Sequence, residues 1–141
     1  MKKYTAVAAL IMLAAVAYSQ NGGACYFAHP ASYTHATAPK AERNYLACLS
    51  STNDGVIESA LAQVAMMKLM LPEGNYASLT SRVANLSRTA ASPELRYKAF
   101  LTESVLANPN AFITLARAGY ATPDEFFGAV ASRLGEFLSS R

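Results

Sequence analysis

From residue 40 to the C-terminus, apolar residues recur three and four positions apart, the spacing that lines one side of an α-helix. No stretch alternates apolar and polar residues for long enough to predict a strand. The last segment shows the helical pattern best. Phe126, Phe127, Val130, Ala131, Leu134, Phe137 and Leu138 share one side, while Glu125, Gly128, Ser132 and Glu136 share the other. That is the pattern of an end helix covering a core. Segment 93–107 differs. Leu95, Ala99 and Leu106 lie on one side, but Tyr97, Phe100, Leu101 and Val105 spread around the rest. An apolar surface on every side predicts a central helix with several neighbours. Segment 55–71 is also broadly apolar, through Val56, Ile57, Ala60, Leu61, Val64, Met67 and Leu71.

The helix boundaries are written in capping residues and prolines. Ser92-Pro93-Glu94, Asn108-Pro109-Asn110 and Thr122-Pro123-Asp124-Glu125 repeat one device. A capping side chain precedes a proline at the first helical position, where a missing N–H costs nothing. Thr122 with Glu125 reads as a capping box, and Asp124 and Glu125 suit the positive end of the helix dipole. Asn53-Asp54 opens a further helix; Pro72 with Gly74 closes one, and Gly119 closes another. Six helices follow: 40–49, 55–71, 76–89, 93–107, 109–118 and 123–138. The fold class is all-α. Short connections predict two to three antiparallel helical hairpins, arranged as a short solenoid or an irregular helical bundle. Residues 20–39 hold Gly22-Gly23, Pro30 and Pro39 with no apolar period, and read as an irregular arm ahead of a helical domain over 40–141.

Two of these helix starts resemble HEAT-type helical repeats. Ser92-Pro93-Glu94-Leu95-Arg96 followed by Ala99 is similar to the Pro-Glu-Val-Arg-x-x-Ala opening of a HEAT helix. Asn53-Asp54-Gly55-Val56 followed by Ala60-Leu61 is similar to the same element one unit earlier, about forty residues away. The resemblance spans residues 46–108. The chain also resembles small secreted bacterial proteins of unknown function. The HEAT resemblance implies a right-handed stack of hairpins that binds peptides or proteins on a concave face.

The N-terminus changes where such a domain would work. Lys2 and Lys3 precede an apolar run over 6–17, and Ala17-Tyr18-Ser19 supplies small residues at both positions read by a signal peptidase. Residues 1–19 therefore read as a bacterial secretory signal peptide, with Gln20 as the new first residue. The run falls short of the ~20 residues that a membrane-spanning helix needs. The expected location is periplasmic or extracellular, with no membrane contact after cleavage. The whole chain carries 12 Lys and Arg against 9 Asp and Glu, a net charge of +3. Losing Lys2 and Lys3 brings it close to neutral, which removes the electrostatic argument for a nucleic-acid partner.

The candidate chemistry is sparse. Both cysteines, Cys25 and Cys48, fall in the mature chain, where an oxidising compartment favours a disulfide between them. Cys25, His29, His35 and Cys48 could instead compose a zinc site, but their spacing lacks the close pairs of structural zinc, so the disulfide is preferred. Met66, Met67 and Met70 lie on one helix, with Met66 and Met70 on the same face. Thioethers suit Cu(I), but no histidine or further methionine lies nearby in sequence, so packing between helices is preferred. No P-loop, G-x-G-x-x-G, G-x-S-x-G, H-E-x-x-H or C-x-x-C occurs. No catalytic residue, cofactor or metal is therefore expected. Arg82, Arg88, Arg96, Tyr97 and Lys98 could gather about one turn as a basic, aromatic-containing patch for an acidic peptide or a cell-wall anion. The function these features predict is an exported, non-enzymatic module that binds a protein or peptide partner in the cell envelope. A small secreted hydrolase and a structural accessory subunit are the alternatives.

Overall fold

The computed structural model describes residues 25–141, so the signal peptide read over 1–19 lies outside the described residues. Among those described there is no strand, and the all-α fold class holds. The helices are α1 (Ala38–Cys48), α2 (Asp54–Met70), α3 (Ala77–Thr89), α4 (Pro93–Ala107), α5 (Pro109–Phe112) and α6 (Pro123–Ser139). Short 3₁₀ turns cover Pro30–Ser32 and Ile113–Arg117. No helix among the described residues is long and apolar enough to cross a membrane.

Three of the four capping residues read from the sequence do cap their helices. The Asn53 side chain accepts from the N–H groups of Gly55 and Val56, Ser92 from Leu95, and Thr122 from Glu125. Glu125 completes its box one residue early, accepting from the Ala121 N–H at 2.8 Å. Asn108 is the exception. It makes no side-chain cap, and its N–H closes α4 on the Ser104 carbonyl. The helix expected over 109–118 accordingly makes one α-turn and then tightens into the 3₁₀ turn. The β-branched pair Ile113-Thr114 disfavours continuing the α-helix, and 3₁₀ geometry serves short connectors.

Helix α2, buried at nine positions, is the centre of the domain. Helix α1 runs antiparallel to it: Tyr45 and Cys48 meet residues 53–63, while Ala38 and Ala41 meet Met67 and Leu71. Helix α4 runs parallel to α2, since Glu58 pairs with Lys98 and the Leu61 carbonyl with Thr102 Oγ1. Helix α6 also runs parallel to α4 and packs on both α2 and α4. The three parallel helices thus enclose a core among themselves instead of forming an open row. Packing all three together buries more apolar surface than a row, in which each helix meets only its neighbours.

The N-terminal arm is held by packing. Phe27 is 6 % exposed and meets Tyr120 and Phe126 edge-on, at centroid distances of 6.0 and 5.0 Å. The Tyr26 N–H donates to the Tyr120 carbonyl at 2.7 Å, and the Tyr26 hydroxyl bonds Ser59. The disulfide expected between Cys25 and Cys48 is not formed; both thiols are free and apart. The anchoring of Tyr26 and Phe27 places Cys25 beside Met66 and Met70, toward the C-terminal end of α2. Cys48 ends α1 beside Asn53 and Gly55, at the other end of α2. A bridge needs Cα atoms within about 7 Å, which this separation along α2 does not allow.

Candidate functional site

The five residues read as a basic patch do not form one. Arg82 donates from Nε and Nη2 to the Leu49 carbonyl at 3.2 and 2.8 Å, tying α3 to the end of α1. Arg96 Nη1 donates to the carbonyls of Ala90 and Ala91 at 2.6 and 3.1 Å, satisfying groups left open at the end of α3. Arg88 and Tyr97 remain on the surface. Lys98 turns inward.

Among the described residues, Lys98 is the charge with the most ion-pair partners. Its ammonium donates to Glu58 at 2.6 Å and to Glu94 and Asp124 at 2.7 Å each. These carboxylates come from the N-terminal portions of the three parallel helices, whose positive dipole ends meet here and favour negative charge. Burial opposes the ammonium, but the bonds to Asp124, Glu58 and Glu94 outweigh it and hold its pKa above the ordinary lysine value. The hydrogen bond from Lys98 correspondingly holds Asp124 below the usual carboxylate range. With its three protons engaged, Lys98 joins helices and offers no free group for chemistry.

Two surface features among the described residues are candidates for a site. The first is a groove of about 290 Å³ between the C-terminal halves of α4 and α6. Phe100, Leu134, Phe137 and Leu138 supply its apolar walls, and Glu103 and Arg141 stand at its edges. Arg141 sits over the Phe137 ring at 4.7 Å. Phe100 is 47 % exposed and Leu138 60 %; Tyr97, one turn from Phe100, is 53 % exposed. The central role predicted for α4 is therefore only partly met. Leu101 and Val105 are buried, while Tyr97 and Phe100 are only half covered. On α6, Phe126, Phe127 and Val130 are buried, but the apolar side continues past the core. Helix α5 is a single turn, too short to cover it.

The second feature is a cleft of about 430 Å³ between the N-terminal arm, the end of α2 and the loop before Tyr120. Cys25, Phe27, Met66, Met70 and Arg117 line it. The sequence shows the shared helical face of Met66 and Met70, but the approach of Cys25 follows from the docking of Phe27. The zinc set is not assembled. His29 accepts the Ala31 N–H through Nδ1, and His35 lies in a separate depression with Glu42 and Asn75. Among the described residues, no three His, Cys, Asp or Glu side chains come together so as to hold a metal ion.

The chain matches no protein-family model, no curated protein and no solved structure.

Proposed function

We propose that this chain is an exported, non-enzymatic binding module that receives an amphipathic helix of a protein partner in the groove between α4 and α6. The single observation behind this reading is the exposed aromatic side of α4. The helix carries apolar residues around most of its surface, yet about half of each of the Tyr97 and Phe100 side chains stays exposed. Two parallel helices with an apolar furrow between them suit a third helix, in the way that α2 already packs on both. Helix-in-groove recognition uses anchors at three- and four-residue spacing, and Leu134, Phe137 and Leu138 supply that spacing on one wall. Glu103 and Arg141 offer charges of both signs for fixing the orientation of the incoming helix.

The test is affinity capture from an envelope extract with the wild-type chain and with a Phe100→Asp/Leu138→Asp variant. The replaced side chains are 47 % and 60 % exposed, so the variant should keep close to the wild-type melting temperature. The expected result is one protein partner retained by the wild type and lost by the variant, with a helical segment of that partner protected on binding. A partner retained equally by both chains would refute the groove. Turnover of a substrate by the purified chain would refute the non-enzymatic reading.

A further inference from the structure

We infer that the cleft under the N-terminal arm is a Cu(I) site, with Cys25 Sγ and the thioether sulfurs of Met66 and Met70 as its three donors. Three sulfur-bearing side chains line one cleft, and neither an imidazole nor a carboxylate does. That donor set excludes the hard cations, which need oxygen. It also disfavours zinc, whose structural sites are filled by four thiolate or imidazole ligands. Thiolate and thioether together select a soft monovalent ion.

The positions of the three donors follow from separate causes. Met66 and Met70 stand four residues apart on α2, which places their Cβ atoms about 5–6 Å from each other on one face. Their unbranched side chains have the rotational freedom to bring both sulfurs to one ion. Cys25 approaches from the opposite wall, carried by the arm that Phe27 and the Tyr26–Tyr120 backbone bond hold down. Met66 is 1 % exposed while Cys25 is exposed, so the cleft runs from an open thiol to a dry thioether. On binding, Cu(I) forms a bond to Cys25 Sγ and the thiol proton leaves to solvent. The metal keeps its oxidation state, and the neutral Cu(I)–thiolate unit suits an apolar wall. Met67, on another face of α2, takes no part; it lines the depressions beside α1.

The test is a Cu(I) titration of the reduced chain under anaerobic conditions, in competition with bicinchoninate. We expect one Cu(I) per chain, one proton released per ion, and an X-ray absorption spectrum with sulfur as the only neighbour. Met66→Leu and Met70→Leu should each weaken binding by about tenfold or more, and Cys25→Ser should weaken it further. Met67→Leu should leave affinity unchanged. Exchanging Met for Leu conserves volume and spares the fold; matching melting temperatures check this. No binding, nitrogen or oxygen in the coordination shell, or one ion per two chains would overturn the site. Wild-type affinity in the Met66→Leu/Met70→Leu double variant would reduce it to capture by a bare thiol, and so overturn it too.

Discussion

Replacing Lys98 by methionine tests how the three parallel helices are joined. The substitution keeps the aliphatic stem and removes the charge. The side chains of Glu94 and Asp124 are 70 % and 75 % exposed, so both carboxylates can turn into water and lose little. Glu58 is 26 % exposed and sits against the core, so its carboxylate stays partly buried without a partner. Removing one member of a fully buried pair costs about 3–5 kcal/mol, and the partial exposure of Glu58 reduces this to about 2–3 kcal/mol. With a urea slope of about 1.5 kcal/mol/M, the unfolding midpoint should fall by roughly 1.3–2 M. The second arm of the experiment replaces Glu58 as well. A buried ion pair exchanged for apolar groups of similar size is often neutral, so Lys98→Met/Glu58→Leu should return to within about 1 kcal/mol of wild type. A single-variant cost under about 0.5 kcal/mol, or a double variant no more stable than the single, would refute the argument that buried charge sets the penalty.

Two further outcomes follow from the same structure. Phe27→Ala should cost about 3 kcal/mol and lower the melting temperature by about 12 °C, because Phe27 is a nearly buried aromatic wedged between Tyr120 and Phe126. A change below about 3 °C in a thermal melt would mean that the arm is not part of the core. The stability gap between wild type and Lys98→Met should be flat between about pH 5 and 9. The lowered pKa of Asp124 contributes stability above the ordinary aspartate value, about 3.9, and this is lost as pH falls through the lowered value. The raised pKa of Lys98 contributes below the ordinary lysine value, about 10.4, and this is lost as pH rises through the raised value. Urea midpoints across pH check this, and a gap that closes near neutrality would contradict it.

The helices were legible because their signals are local. Ser92, Thr122 and Asn53 cap where they stand, and the proline after Ser92 or Thr122 leaves a single helical start. The failures share one cause. Lys98 reads as part of a basic surface patch with Arg82, Arg88, Arg96 and Tyr97, but Glu58 and Asp124 reach it from other helices. Cys25 and Cys48 read as partners because they are the only two cysteines, yet the packing of Phe27 and Tyr26 carries them to opposite ends of α2. Phe27 itself sits in the short apolar run 24–28 of an otherwise irregular arm, too brief to show a period that marks it as core.

Sequence alone determined the all-α class, the helix starts and the strongly apolar character of α2 and α4, because capping, proline geometry and the helical repeat act over a few residues. The tertiary structure decided which apolar side is left open, which charges meet at Lys98, and which sulfurs share the cleft under the arm. Those depend on the direction and closure of helices far apart in the chain. Such contacts arise from burying the greatest apolar area across the whole domain, and no local run of residues encodes that optimum.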